Sequence, residues 1–151
     1  MMVKYERPED LQNEKLVAAA FAKFIGYSTW DKYKPDEVYA VPDYLFYNQG
    51  KLELGAEIKR RNIDFGQFSE GYMISAEKLV ALRCYKKADT CIIVACDDRL
   101  ANLFPEETAP YKYSDQGERG RRDRHGKNDL GIQAFFRWSD LKVLFDRGGK
   151  Y

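Results

Sequence analysis

One histidine, His125, is the chain's entire supply of imidazole. Chemistry that needs paired histidines, as metal ligands or as base plus ligand, is therefore excluded. Serine hydrolysis stays open only if His125 is its base. The three cysteines, Cys84, Cys91 and Cys96, include no C-x-x-C pair. An odd number without metal-ligand spacing fits buried thiols in a reducing compartment. Walker and dinucleotide glycine signatures are missing, as are internal repeats and low-complexity tracts. No apolar run reaches the roughly 18 residues of a membrane span, and no charged-then-apolar leader is seen. A cytoplasmic protein with no membrane partner is expected. Charge of one sign is lacking too: 25 Lys and Arg against 24 Asp and Glu leave a net +1. A balanced total does not announce a polyanion partner, but acids gathered around a cation would hide basic residues in the sum.

What is present suits one folded domain over 1–151, with 44% hydrophobic and 32% charged residues. Pro8 to Ile25 is predicted as a helix, with Gly26 as its stop. Leu11, Val17, Ala18, Phe21 and Ile25 form its apolar stripe, and Glu14 points within about 20° of Phe21 on the helical wheel. A carboxylate in that stripe needs a partner, because burying it alone costs several kcal/mol. Tyr27 to Glu37 reads as a turn-rich link. Ile74 to Val80 begins a second helix capped by Ser75, with Leu79, Val80, Leu82 and Cys84 as its apolar set and Lys86-Lys87 near its end. Thr90 to Cys96 is a nearly unbroken apolar run, the pattern of a central strand covered on both faces. Asp97 to Asn128 reads as irregular, Ile132 to Trp138 as a strand, and Ser139 as the cap of a short last helix carrying Leu141, Leu144 and Phe145. The order gives an α/β fold, a mixed central β-sheet flanked by helices.

The chemistry-bearing stretch is Val41 to Tyr47, a bend at Asn48-Gln49-Gly50-Lys51, and Leu52 to Lys59. These two runs read as a hairpin. Pro42 lacks an amide donor, so the first strand should begin late, lie at an edge or carry a bulge. Glu57 and Lys59 share one face, and Ala56 and Ile58 the other. A hairpin centred on Gly50 sets Asp43 opposite Glu57, with side chains about 4.5–5.5 Å apart at the first carbon. Two carboxylates so placed repel unless a proton or cation lies between them. Magnesium, bound by hard oxygens, would remove that repulsion.

Pro42-Asp43, a hairpin, then Glu57-Ile58-Lys59 resembles the PD-(D/E)XK nuclease superfamily, whose core is restriction-endonuclease-like. Gly71 to Lys78, the arginine-rich Gly117 to Asp129, and Trp138-Ser139-Asp140-Leu141 look like stretches of its small phage-encoded members. The resemblance implies a Mg2+-dependent DNA endonuclease, with Mn2+ as a substitute. Asp43, Glu57, the Ile58 carbonyl and Glu14 are its expected metal ligands. Lys59 is expected to orient the attacking water or stabilise the charge that develops on the phosphate. Lys78 is expected to face the site and touch the scissile phosphate.

Arg119, Arg121, Arg122, Arg124, His125 and Lys127 form the densest basic run. With Arg60, Arg61 and Lys78, these Arg and Lys residues are the candidate phosphate contacts on double-stranded or branched DNA. A lone catalytic core has little room for a target-reading domain, which favours DNA shape over sequence, and a homodimer to act on two strands. Work in replication, recombination or degradation of DNA is what the resemblance leads one to expect. Two other readings keep the same residues: a DNA-binding protein of this fold without the chemistry, and an RNA-directed nuclease.

Overall fold

The computed structural model describes residues 8–33, 41–61, 63–67, 69–115 and 131–146, with side chains from residue 12 onward. Helix α1 runs Pro8–Ile25 and stops at Gly26, whose φ of 104° is readily open only to glycine. The strands are β1 (Thr29–Lys32), β2 (Tyr44–Asn48), β3 (Lys51–Arg60), β4 (Tyr72–Ser75), β5 (Asp89–Ala95), β6 (Arg99–Leu103), β7 (Lys112–Ser114), β8 (Gln133–Phe136) and β9 (Lys142–Asp146). Helix α2 (Ala76–Cys84) follows β4. Six strands form one mixed sheet in the order β1-β2-β3-β5-β6-β9, and β4-β8-β7 form a small antiparallel sheet.

β3 and β5 are parallel, Glu57 facing Ile92 and Lys59 facing Val94, and α2 lies in the connection between them. The alternation of β3 divides two cores. Leu54, Ala56 and Ile58 join Val17, Ala18 and Phe21 of α1 on one side. Ile92, Val94, Leu79 and Leu82 join the small sheet's Tyr72, Ile74, Ala134 and Phe136 on the other. The mixed sheet is thus flanked by α1 on one face and by α2 with the small sheet on the other. Among the described residues no helix is long and apolar enough to cross a membrane.

The hairpin turns through Gln49 and Gly50, with φ of 51° and 82°, which matches the right-handed twist of the flanking strands. β2 starts two residues after Pro42 and carries a register shift between Phe46 and Tyr47. It is not an edge strand, because β1 covers it. Pro42 lies so close over Gly55 that a Cβ there would stand 2.8 Å from the proline Cγ. Glycine at 55 is what lets the chain enter β2 at this height.

Five expectations are corrected. The turn-rich link contains β1, which pairs with β2 from Thr29↔Tyr47 to Lys32↔Tyr44. Ile74 and Ser75 close β4 rather than open α2, and Ser75 takes the N-cap position without a side-chain hydrogen bond. The segment read as irregular after Asp97 holds β6 and β7. The last segment is a short 3₁₀ turn at Trp138–Asp140 followed by β9, since the open edge of β6 pairs with it. Ile25, Val80 and Cys84 are exposed, so the true stripes of α1 and α2 are narrower than the periodicity suggests.

Candidate active site

Asp43 and Glu57 meet where β2 begins. Tyr44 faces Ala56, and the Asp43 amide donates to the Ala56 carbonyl at 2.9 Å, so the hairpin register carries Asp43 to the level of Glu57. Tyr33 N–H fixes the Asp43 carbonyl at 2.7 Å from the other side. Glu57 projects into the core beside α2 and has no exposed surface. A lone carboxylate there would be prohibitively costly. Two ammonium groups offset the cost: Lys78 Nζ donates to Glu57 Oε2 at 2.7 Å, and Lys59 Nζ lies 3.2 Å from the same oxygen. Lys78 reaches in from the first turn of α2, so strand and helix together build the site.

Both lysines converge on one oxygen. Glu57 Oε1 is buried and has no hydrogen-bond partner among the described residues. An acceptor in that state is rare in folded proteins and signals a missing donor or ion. The proton affinities agree. Burial, then the charge of Glu57, pushes Asp43 up to about 7, against the pull of Lys59, Lys32 and Lys78. Burial raises Glu57 as well, but Lys59 and Lys78 outweigh it and hold its carboxyl below the usual range. Burial lowers Lys59 to about 8 despite the attraction of Glu57. Burial also works against the charge of Lys78, yet Glu57 outweighs it and holds that ammonium above the ordinary lysine range. The pair therefore divides into an ionised Glu57 and an Asp43 that takes up a proton near neutrality when no cation is at hand.

Glu14 lies over the opposite face of the sheet, with α1. Its Oε1 accepts from the Tyr44 hydroxyl at 3.2 Å and faces Lys32 Nζ at 3.7 Å. Lys32 Nζ is also 4.0 Å from Asp43 Oδ1 and lies 4.9 Å from the centre of the Tyr44 ring. Glu14 thus reaches Asp43 through a lysine. Among the described residues no three acids, histidines or cysteines gather closely enough to hold an ion by themselves. Asp43, Glu57, Lys59 and Lys78 are brought together, and Glu14 joins them at one remove.

The Ile58 side chain is buried against α1, so only its backbone can serve the site. Carbonyls two residues apart on a strand point the same way. The Ala56 carbonyl points at Asp43, and that of Ile58 follows it past the start of β2. Arg60 ends β3, and the Arg61 guanidinium lies 5.6 Å from the Tyr72 ring centre. Arg119, Arg121, Arg122, Arg124, His125 and Lys127 lie outside the described residues. The segment that carries them joins β7 to β8, whose pairing closes at Ser114↔Gln133.

The donors fit a divalent ion. Carboxylate and carbonyl oxygens are the hard ligands that magnesium and manganese prefer. The partnerless Glu57 Oε1 beside a carboxyl group of raised proton affinity is the geometry such an ion would complete.

Lys32 is the site residue that the sequence reading missed. Its signal was available in Thr29-Trp30-Asp31-Lys32, where strand alternation places Trp30 and Lys32 on one side. Trp30 packs on Tyr44 with ring centres 5.9 Å apart, which fixes that side to the α1 face.

A family model described as "Phage putative PDDEXK endonuclease" matches residues 1–144. Among solved structures, the fold is similar to Hjc of Archaeoglobus fulgidus, a Holliday junction resolvase from an archaeal hyperthermophile. Identity is 13%, the match covers 63% of this chain and 77% of that one, and the TM-score is 0.45. Nothing among the curated proteins matches.

Proposed function

The chain belongs to the phage PDDEXK endonuclease family, and on that footing we propose that it is a metal-dependent endonuclease that hydrolyses phosphodiester bonds of DNA and reads DNA structure rather than sequence. The observation that carries this is the buried Glu57 Oε1, beside Asp43 and without a partner among the described residues, while both lysines hold the other oxygen, Oε2. Asp43, Glu57 and the Ile58 carbonyl would hold Mg2+, with Mn2+ as a substitute. A bound ion supplies an activated water and polarises a phosphoryl oxygen.

The chain's own residues do the rest. Lys59, held 3.2 Å from Glu57, orients the attacking water or stabilises the charge that builds on the phosphate. Lys78 is kept charged by Glu57 and is the phosphate-binding ammonium on the α2 side. Arg60 and Arg61 continue the positive track from the end of β3, and the arginine-rich run extends it as a salt-sensitive clamp. Cutting both strands calls for two such sites, so two copies acting as a pair belong to the proposal. Its setting is the interior of the infected cell, in recombination, replication or degradation of DNA.

The test is a panel of linear, nicked, flapped and four-way-junction DNAs, with a matched RNA duplex, incubated with Mg2+. Cleavage that favours one DNA structure across unrelated sequences, and that vanishes in Asp43→Ala and Glu57→Ala, is the expected result. Equal cleavage by both variants removes the site. DNA binding without cleavage across Mg2+ and Mn2+ titrations removes the activity.

A further inference from the structure

Lys32 is held from several sides. Its ammonium lies between Glu14 Oε1, at 3.7 Å, and Asp43 Oδ1, at 4.0 Å. Tyr44 lies under it, with the ring centre 4.9 Å away, and the Tyr44 hydroxyl donates to the same Glu14 oxygen. The β1–β2 register fixes Lys32 directly across from Tyr44. Only 13% of the lysine side chain is exposed. A surface lysine holds its charge at little cost, but a buried ammonium persists only where the surroundings compensate it. Two carboxylates and an aromatic face do so here.

Without the ammonium, two carboxylates would be left turned toward one space, and a divalent ion could draw their side chains together there. One of the pair, Asp43, is also a proposed ligand of the ion at Glu57. A second ion beside the first would need Glu14 and Asp43 as its ligands, and that space holds an ammonium. The lysine supplies positive charge at the spot and repels any further cation. We infer that Lys32 takes the place of a second divalent cation between Glu14 and Asp43, so that the site admits one ion. This rests on the proposed role of Asp43 and Glu57. Lys32 is a positioning residue: it fixes Glu14 against Asp43 and sets the ion count, without touching the reacting atoms.

The experiment counts ions in the full chain. Mn2+ binding to the wild-type protein, Lys32→Gln, Lys32→Met and the double variant Lys32→Gln/Glu14→Gln is followed by calorimetry and by electron paramagnetic resonance, without DNA. The expected stoichiometry is one ion for the wild type, two for each folded Lys32 variant, and one again for the double variant. Loss of the ammonium should also tighten the first ion, by roughly tenfold. Two ions in the wild type overturn the inference and leave the nuclease reading standing. One ion in a folded Lys32 variant, with only its melting temperature lowered, makes Lys32 merely structural and overturns the inference as well. Should neither Lys32 variant fold, the wild-type count decides by itself. No ion bound to the wild type removes the inference and the reading beneath it together.

Discussion

The four charged groups of the site, Asp43, Glu57, Lys59 and Lys78, are unequal, and the inequality predicts opposite outcomes for two neighbouring acids. Asp43 has a raised proton affinity in the metal-free fold, so its ionisation opposes folding. Below its unfolded value, near 4, it is protonated in both states and costs nothing. As pH rises from there to about 7, the unfolded chain ionises first and stability falls. Asp43→Asn should therefore stabilise the protein in EDTA at pH 8, by about 1–3 kcal/mol, with the gain fading toward pH 4. Glu57 behaves in reverse. Its depressed value means stability that is present above its unfolded value and lost as pH falls through the folded one. Glu57→Gln strands Lys59 and Lys78 without a counter-charge and should cost about 3 kcal/mol or more at pH 8. Thermal melts of the three proteins in EDTA from pH 4 to 8 check both signs. Lys59→Ala should keep Mn2+ binding while lowering cleavage at least about a hundredfold, since its proposed part is in the transition state. Calorimetry beside single-turnover cleavage separates the two effects.

At the scale of elements, the site depends on where the chain enters β2. Pro42 rests on Gly55, and Asp43 follows directly. Gly55→Ala would drive its methyl into the proline ring at 2.8 Å. The expected cost is about 1–3 kcal/mol in stability, with a larger fall in cleavage than the melting temperature explains, because Asp43 shifts with Pro42. Measuring Mn2+ affinity and cleavage of Gly55→Ala at a temperature where it is fully folded checks this. The hairpin, α1 and the buried strand β5 were legible in the sequence because local signals agreed there: alternation, a Gly stop, an unbroken apolar run. β9 was not legible. Leu141, Leu144 and Phe145 have helical spacing, yet the free edge of β6 recruits the segment as a strand. β1 was missed for a similar reason: four residues carry too little pattern until β2 is there to pair with them. With β1 went Lys32. The acids and the motif lysine were legible because their chemistry is carried by their spacing in the chain, whereas Lys32 enters only through tertiary pairing.

At the scale of the molecule, the net charge of +1 hides a division of labour. Glu14, Asp43 and Glu57 are matched inside by Lys32, Lys59 and Lys78. The basic run from Arg119 to Lys127, outside the described residues, is the proposed phosphate clamp. Changing Arg119, Arg121, Arg122, Arg124 and Lys127 to Gln should weaken DNA binding in EDTA uniformly across sequences. For every phosphate that is no longer neutralised, the salt dependence should flatten by roughly 0.9 in the log–log slope. Mn2+ affinity should stay unchanged, because the proposed ion ligands lie just before β2 and on β3. Binding titrations from low to moderate salt give the slope directly.

The most direct measurement is anomalous diffraction from crystals soaked in Mn2+, recorded at the manganese absorption edge. The prediction is a peak in bonding contact with Asp43, Glu57 Oε1 and the Ile58 carbonyl, at about 2.0–2.3 Å from each oxygen. A protein that cleaves DNA with Mn2+ yet shows no peak at those three oxygens, or shows one elsewhere, contradicts the assignment.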